Sequence, residues 1–185
     1  MKKLCYILFT LGICHQIFAD ISGIYVGGGL GYGMQSLSLD GASTTTGTPT
    51  LRTFVGYQFA DWVGAELGYT YITQSGNWMN AGNPSTTVYD LAFTPGIVIP
   101  ATPVSIYLRL GVDAVSANLN SSWYNQMFSN MTTSFEWGIG TKVNIPTTHA
   151  FIRLEYTNYG GVANNNNQNM SVTPSTVMIN AAYVF

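Results

Sequence analysis

Ile106-Tyr107-Leu108-Arg109-Leu110-Gly111-Val112-Asp113 is the stretch that decides the fold. Ile106, Leu108, Leu110 and Val112 share one parity, and Tyr107, Arg109, Gly111 and Asp113 share the other. A period of two is a strand signal, because successive side chains leave a strand on opposite faces. Three neighbouring stretches repeat the division. Phe135, Trp137, Ile139 and Val143 stand opposite Glu136, Gly138, Gly140 and Lys142. Ile152, Leu154 and Tyr156 stand opposite Arg153 and Glu155, and Val63, Ala65, Leu67, Tyr69 and Tyr71 opposite Gly64, Glu66 and Gly68. One face is apolar and aromatic; the other combines glycine with charge.

Working outward, the alternation predicts eight strands, at about 23–38, 51–59, 62–73, 87–98, 104–118, 132–145, 149–159 and 176–185. The joints alternate in kind. Residues 60–61, 99–103 and 146–148 are tight, whereas 39–50, 74–86, 119–131 and 160–175 are long and made of Gly, Thr, Ser and Asn. An even number of strands with short and long joints in turn is the pattern of a transmembrane barrel. The fold expected is all-β: an eight-stranded antiparallel up-and-down transmembrane barrel with short periplasmic turns and four longer outer loops.

Composition agrees. The 185 residues are 46% hydrophobic and 14% aromatic, and only 8% are charged, against about 25% in an ordinary soluble domain. Disordered chains are charge-rich and aromatic-poor, so that class is excluded. A net charge of −2 leaves no basic footprint for nucleic acid. Lys2 and Lys3 followed by the apolar run Leu4–Ile13 read as a secretory signal, with a cut expected after Ala19. The expected organisation is a cleaved signal peptide over 1–19 and a barrel over 20–185, which is export to the Gram-negative outer membrane. Both cysteines, Cys5 and Cys14, leave with the signal. No later stretch supplies about 20 consecutive apolar residues for a helical span.

A soluble barrel also alternates, with apolar side chains inside. Here nine charges lie on the strands: Arg52, Glu66, Asp90, Arg109, Asp113, Glu136, Lys142, Arg153 and Glu155. The long loops carry only Asp40. If the charged face met solvent, the loops would be charged too, so the economical reading is inside-out, with lipid on the aromatic face. Tyr57, Phe59, Tyr183 and Phe185 fall at one rim; Tyr69, Tyr71, Tyr89, Phe135, Trp137 and Tyr156 fall toward the other. Rings with polar tips suit both membrane interfaces.

With these features the chain resembles the small eight-stranded outer-membrane barrels of Gram-negative bacteria, like the membrane domain of outer membrane protein A and outer membrane protein X. The resemblance covers the chain after the signal as a pattern. Its sharpest part is Ala182-Tyr183-Val184-Phe185, similar to the C-terminal aromatic signal read by the barrel-assembly machinery, with Tyr183 and Phe185 as its rings. That signal usually has Gly where this chain has Asn180. The resemblance implies a monomeric barrel without the peptidoglycan-binding domain of longer members, in contact with outer-membrane lipid and lipopolysaccharide and assembled by the barrel-assembly machinery.

An eight-stranded barrel has an interior that side chains just fill. The expectation is a lumenal web in which Arg52, Arg109, Lys142 and Arg153 pair with the five carboxylates and plug the barrel, because unpaired buried charge costs several kcal/mol. The counter-reading is a narrow porin-like channel; a third is a soluble periplasmic barrel for an apolar ligand. The glycines Gly23, Gly27, Gly28, Gly29, Gly31 and Gly33 lack the following helix that a nucleotide fingerprint needs, so they read as room for the web and ease of curvature. Outer-membrane barrel enzymes generally need a histidine as base or proton shuttle, and after the signal the one histidine is His149. It follows a periplasmic turn, so no enzyme, metal or cofactor is expected. Recognition of a host or envelope protein would fall to the outer loops, where Trp78, Met79, Trp123, Tyr124, Met127 and Phe128 are the candidates.

Overall fold

A computed structural model describes residues 22–39, 42–73, 85–118, 131–164 and 170–185. The signal segment and the loop candidates Trp78, Met79, Trp123, Tyr124, Met127 and Phe128 lie outside the described residues. The strands are β1 (Gly23–Leu39), β2 (Ala42–Ala60), β3 (Val63–Thr73), β4 (Ser85–Val98), β5 (Val104–Asn118), β6 (Thr132–Asn144), β7 (Ala150–Asn158), β8 (Val162–Asn164) and β9 (Met170–Val184). Each pairs antiparallel with its successor through β7, β7 pairs with β9, and β9 pairs with β1 from Tyr25↔Val184 to Leu39↔Met170. β8 also pairs with β9, one residue out of the β7 register (Asn158↔Ser175, then Val162↔Val172), so it continues β7 beyond a bulge. The result is a closed eight-stranded antiparallel barrel with no free long edge.

Five of the eight strands run close to their expected bounds, and β5 matches its bounds. The clear differences are at the loop end. β1 and β2 pair as far as Leu39↔Ala42, so most of the loop expected over 39–50 is strand. β9 begins at Met170 rather than 176. The tract Ser43-Thr44-Thr45-Thr46 is polar on both parities, and in Ser171–Thr176 only Val172 and Pro174 break a run of Ser and Thr, so the hydrophobic alternation is absent or faint there. Their threonines nevertheless favour extended backbone, because branching at Cβ fits the pleat.

Two of the short turns are built alike. In Ile99-Pro100-Ala101-Thr102 the Thr102 amide donates to the Ile99 carbonyl at 3.2 Å, and in Ile145-Pro146-Thr147-Thr148 the Thr148 amide donates to Ile145 at 3.2 Å. Proline presets the second position, while Ala101 (φ 61°) and Thr147 (φ 66°) take the left-handed third position usually given to Gly or Asn. At the third turn the Gln58 amide nitrogen donates to the carbonyls of Ala60 and Val63, pinning a bulge in β2.

Candidate functional site

Alternation sorts the barrel wall into two surfaces. Leu30, Leu51, Leu67, Leu91, Leu108, Ile139, Leu154 and Ile179 are exposed on the outside, and all nine strand charges are buried inside. Tyr57 with Phe59 and Tyr183 with Phe185 stack at one rim, their ring centres 5.1 Å apart in each pair. Tyr69 with Tyr89 (5.2 Å) and Trp137 with Tyr156 (5.8 Å) stack nearer the other. An apolar exterior around a polar interior is the inverse of a soluble ligand-binding barrel, and water would be a poor solvent for it.

The interior is layered. Nearest the turns, Lys142 Nζ donates to the Asp61 carbonyl at 3.1 Å and to Gln58 Oε1 at 3.4 Å. Next come the rings of Tyr25, Phe54 and Phe151, edge-on at 5.5 and 6.2 Å. The Arg153 guanidinium lies 4.4 Å from the centre of the Phe54 ring, a cation–π contact sealed from water.

Above this layer, seven of the expected charges meet. Arg52 forks onto Asp90, with Nη1 to Oδ2 at 2.9 Å and Nη2 to Oδ1 at 2.8 Å, and also reaches Glu66 at 3.0 Å. Arg109 donates to Glu66 at 2.7 Å, to Glu136 at 3.0 Å and to Asp90, and lies 3.9 Å from Glu155. Arg153 takes the second oxygen of Glu66 at 2.6 Å. Glu66 thus serves three arginines, which only a carboxylate with both oxygens accessible can do. Tyr107 donates to Glu155 at 2.6 Å, and Tyr25 to Glu66 at 3.2 Å.

The other two charges stand apart from these ion pairs. Lys142 sits at the turn end, as described. Asp113 sits toward the loops, where the Ser134 hydroxyl donates to Oδ1 and the Gly160 amide to Oδ2 at 2.7 Å. Tyr159 caps the web from that side, its hydroxyl accepting from Arg52 at 3.0 Å. Beyond it lies an uncharged layer of Thr48, Thr50, Ile72, Thr86, Val88 and Val115, all buried.

The charges come only from β2 to β7. β1 and β9 face them with small or neutral groups, and close approach explains why. A Cβ on Gly29 would fall 2.0 Å from Asn180 Oδ1, and one on Gly68 would fall 2.3 Å from Arg52 Nη2 and 2.6 Å from both Asp90 oxygens. Sequence reasoning missed the inward aromatics Tyr25, Phe54, Phe151 and Tyr159. Parity carried the signal: Phe54 lies two residues from Arg52, and Phe151 two from Arg153. His149 is exposed at the turn end, its ring 6.2 Å from that of Tyr183. Among the described residues no group of three His, Cys, Asp or Glu is placed to hold a metal.

A closed barrel with lipid-compatible walls and a charged interior is a transmembrane β-barrel. The family of the outer membrane protein beta-barrel domain matches residues 6–185, and the chain belongs to it. Such a barrel is at home in the Gram-negative outer membrane. No curated protein matches the chain. Among solved structures it is similar to Neisserial surface protein A, with a TM-score of 0.59 and 17% identity over 88% of this chain and 97% of that one. It is also similar to Ail, the attachment invasion locus protein of Yersinia pestis (TM-score 0.55, 21% identity, 88% and 99% covered). The N-terminal beta-barrel domain of Pseudomonas aeruginosa OprF follows (TM-score 0.52, 13% identity, 85% and 97% covered). At these identities the likeness is one of fold.

Proposed function

We infer that the protein is a sealed, non-enzymatic outer-membrane barrel with a structural or surface-recognition role, its recognition carried by the outer loops. The observation behind this reading is the web itself. Arg52, Arg109 and Arg153 span the lumen from β2, β5 and β7 and meet four carboxylates at essentially zero exposure. The aromatic layer below and Tyr159 above cover the web, and among the described residues its charged side chains are all buried. A path for ions through such a stack would require breaking several charge-assisted hydrogen bonds at once.

With the lumen filled, any partner meets the rim. Short turns face the periplasm in barrels of this kind and the longer loops face outward. The outer loops hold Trp78, Met79, Trp123, Tyr124, Met127 and Phe128 among almost no charge, a composition that suits an apolar or hydrogen-bonding protein partner rather than an electrostatic one. Ail, similar in fold, is an attachment protein by name, which supports this direction. The sole histidine after the signal segment, exposed at the turn end, supports a non-catalytic role.

Single-channel recording of the refolded chain in a planar bilayer tests the sealed lumen, with Arg109→Met measured alongside. Folded protein without current steps is the expected result. Reproducible steps altered by Arg109→Met would make the inward charges the lining of a narrow pore and overturn the reading.

A further inference from the structure

The wall changes character at the loop end of β7. β6 and β7 pair from Asn144↔Phe151 to Trp137↔Asn158 and no further, although β6 continues to Thr132. The β6 edge over residues 132–136 therefore has no strand partner on the β7 side among the described residues, while on its other side it stays paired with β5. β7 does not end there. It holds β9 through the Tyr159 amide, which donates to Pro174 at 3.0 Å, and resumes as β8 on the same neighbour.

Four observations show where it goes. The Gly160 amide donates not to β6 but to the buried Asp113 carboxylate of β5. A Cβ on Gly160 would fall 1.9 Å from Ser134 Oγ, an inward-facing atom of β6. The Tyr159 ring is fully buried over Arg52 and Thr70. β8 lies close to β5, two strands away across the mouth. The chain from Tyr159 to Asn164 keeps its pairing with β9 but has left the β6 edge and leans across the inner side of β6.

We propose that residues 159–164 are a strap across the loop-end mouth, latched by Asp113 on the Gly160 amide, and that release of the latch lets β7 and β8 straighten onto the free edge of β6. The two arrangements compete for the same backbone groups. Strapped, the Gly160 amide has a charged acceptor and five residues of β6 go unpaired; straightened, the register of Trp137↔Asn158 continues and puts Thr133 opposite Val162. Gly160 and Gly161 supply the hinge, since a side chain at Gly160 would collide with Ser134. Straightening also withdraws the bulge that seats Tyr159, which opens the charge web to the loop side. The proposal does not depend on what the loops recognise.

Disulfide trapping tests it. In the full chain with Cys5→Ser and Cys14→Ser, refolded in lipid bilayers, Thr133→Cys and Val162→Cys cross-link only when the segment is straight. The cross-link is expected to be scarce with Asp113 present. It should rise about tenfold with Asp113→Ala, the scale of one lost hydrogen bond to a charged group. Ser134→Ala, which removes only the hydroxyl on Asp113, should move it in the same direction by less, and serves if Asp113→Ala fails to fold. A second readout is labelling of Thr70→Cys by a membrane-impermeant thiol reagent, slow in the latched barrel and faster in both variants. Efficient cross-linking with the latch intact would overturn the proposal, as would yields and labelling that neither variant changes.

Discussion

Arg52 and Asp90 meet as two parallel hydrogen bonds, 2.9 and 2.8 Å long, with neither side chain exposed. The fork explains why arginine rather than lysine holds this position: a planar guanidinium fills both carboxylate oxygens at once, and an ammonium cannot. Arg52→Met leaves Asp90 and Glu66 short of a partner in a dry interior, and should cost about 3–5 kcal/mol. Arg52→Lys keeps the charge and should lose less. Urea unfolding of the refolded barrel in lipid bilayers, followed by the heat-dependent shift in gel mobility, measures both.

Space beside that pair is as strictly held as its charge. Gly68→Ala drives a methyl group between Arg52 and Asp90, and an overpacked site of this kind costs about 1–3 kcal/mol. Gly28 has no neighbour nearer than the Arg52 carbonyl at 3.3 Å. Gly28→Ala should therefore unfold at a urea concentration near the parent's, while Gly68→Ala unfolds well below it.

The outer face gives the opposite electrostatic result. Leu108 is exposed beside the level of Arg109, near the middle of the wall. Leu108→Arg should destabilise the barrel in lipid by about 2–4 kcal/mol, and Tyr57→Arg at the rim by about 0–1 kcal/mol. Equal losses in the same unfolding assay would contradict the assignment of lipid to this face.

Thr147 is β-branched and holds φ at 66°. A left-handed conformation costs a residue with Cβ about 1–2 kcal/mol, so Thr147→Gly should raise the unfolding midpoint despite the added freedom of glycine in the unfolded chain. Ala101→Gly in the twin turn should act in the same direction and by less, since alanine lacks the branch.

Deletion of residues 121–129 should leave the heat-modifiable band and the unfolding midpoint close to those of the parent, because the web lies below β5 and β6 ends. Binding to any surface partner of the intact barrel should be lost. Retained binding, measured by surface plasmon resonance on the refolded protein, would move recognition to another loop.

Much of this was legible from parity alone. Charge on one side and large apolar groups on the other, clearest in β5, β6 and β7, placed the nine ionic side chains of β2 to β7 on the inner face before any pairing was known. What parity could not supply was partner choice. Glu66 and Arg153 stand 87 positions apart in the chain, and their contact depends on how the whole sheet is sheared and tilted when it closes. Nor could it mark strand in Ser43–Thr50, where both faces are polar and an alternation of hydrophobicity has nothing to alternate. Tyr159 had a readable parity, but the inward bend after it follows from Gly160 choosing a side-chain acceptor over the neighbouring strand, a decision made by Asp113 far along the chain.

The seam between β1 and β9, where the two ends of the barrel meet, carries no acid or base on either strand. Among the described residues the ion pairs of Arg52, Arg109 and Arg153 lie on β2 to β7, which form one unbroken run of neighbours. The final zippering of the cylinder is therefore a matter of backbone amides, glycines and one asparagine, while pairs that reach across the lumen, such as Glu66 with Arg153, meet only as the sheet curls shut. No ionic contact crosses this join from strand to strand, so first and last strands act as an electrically silent clasp.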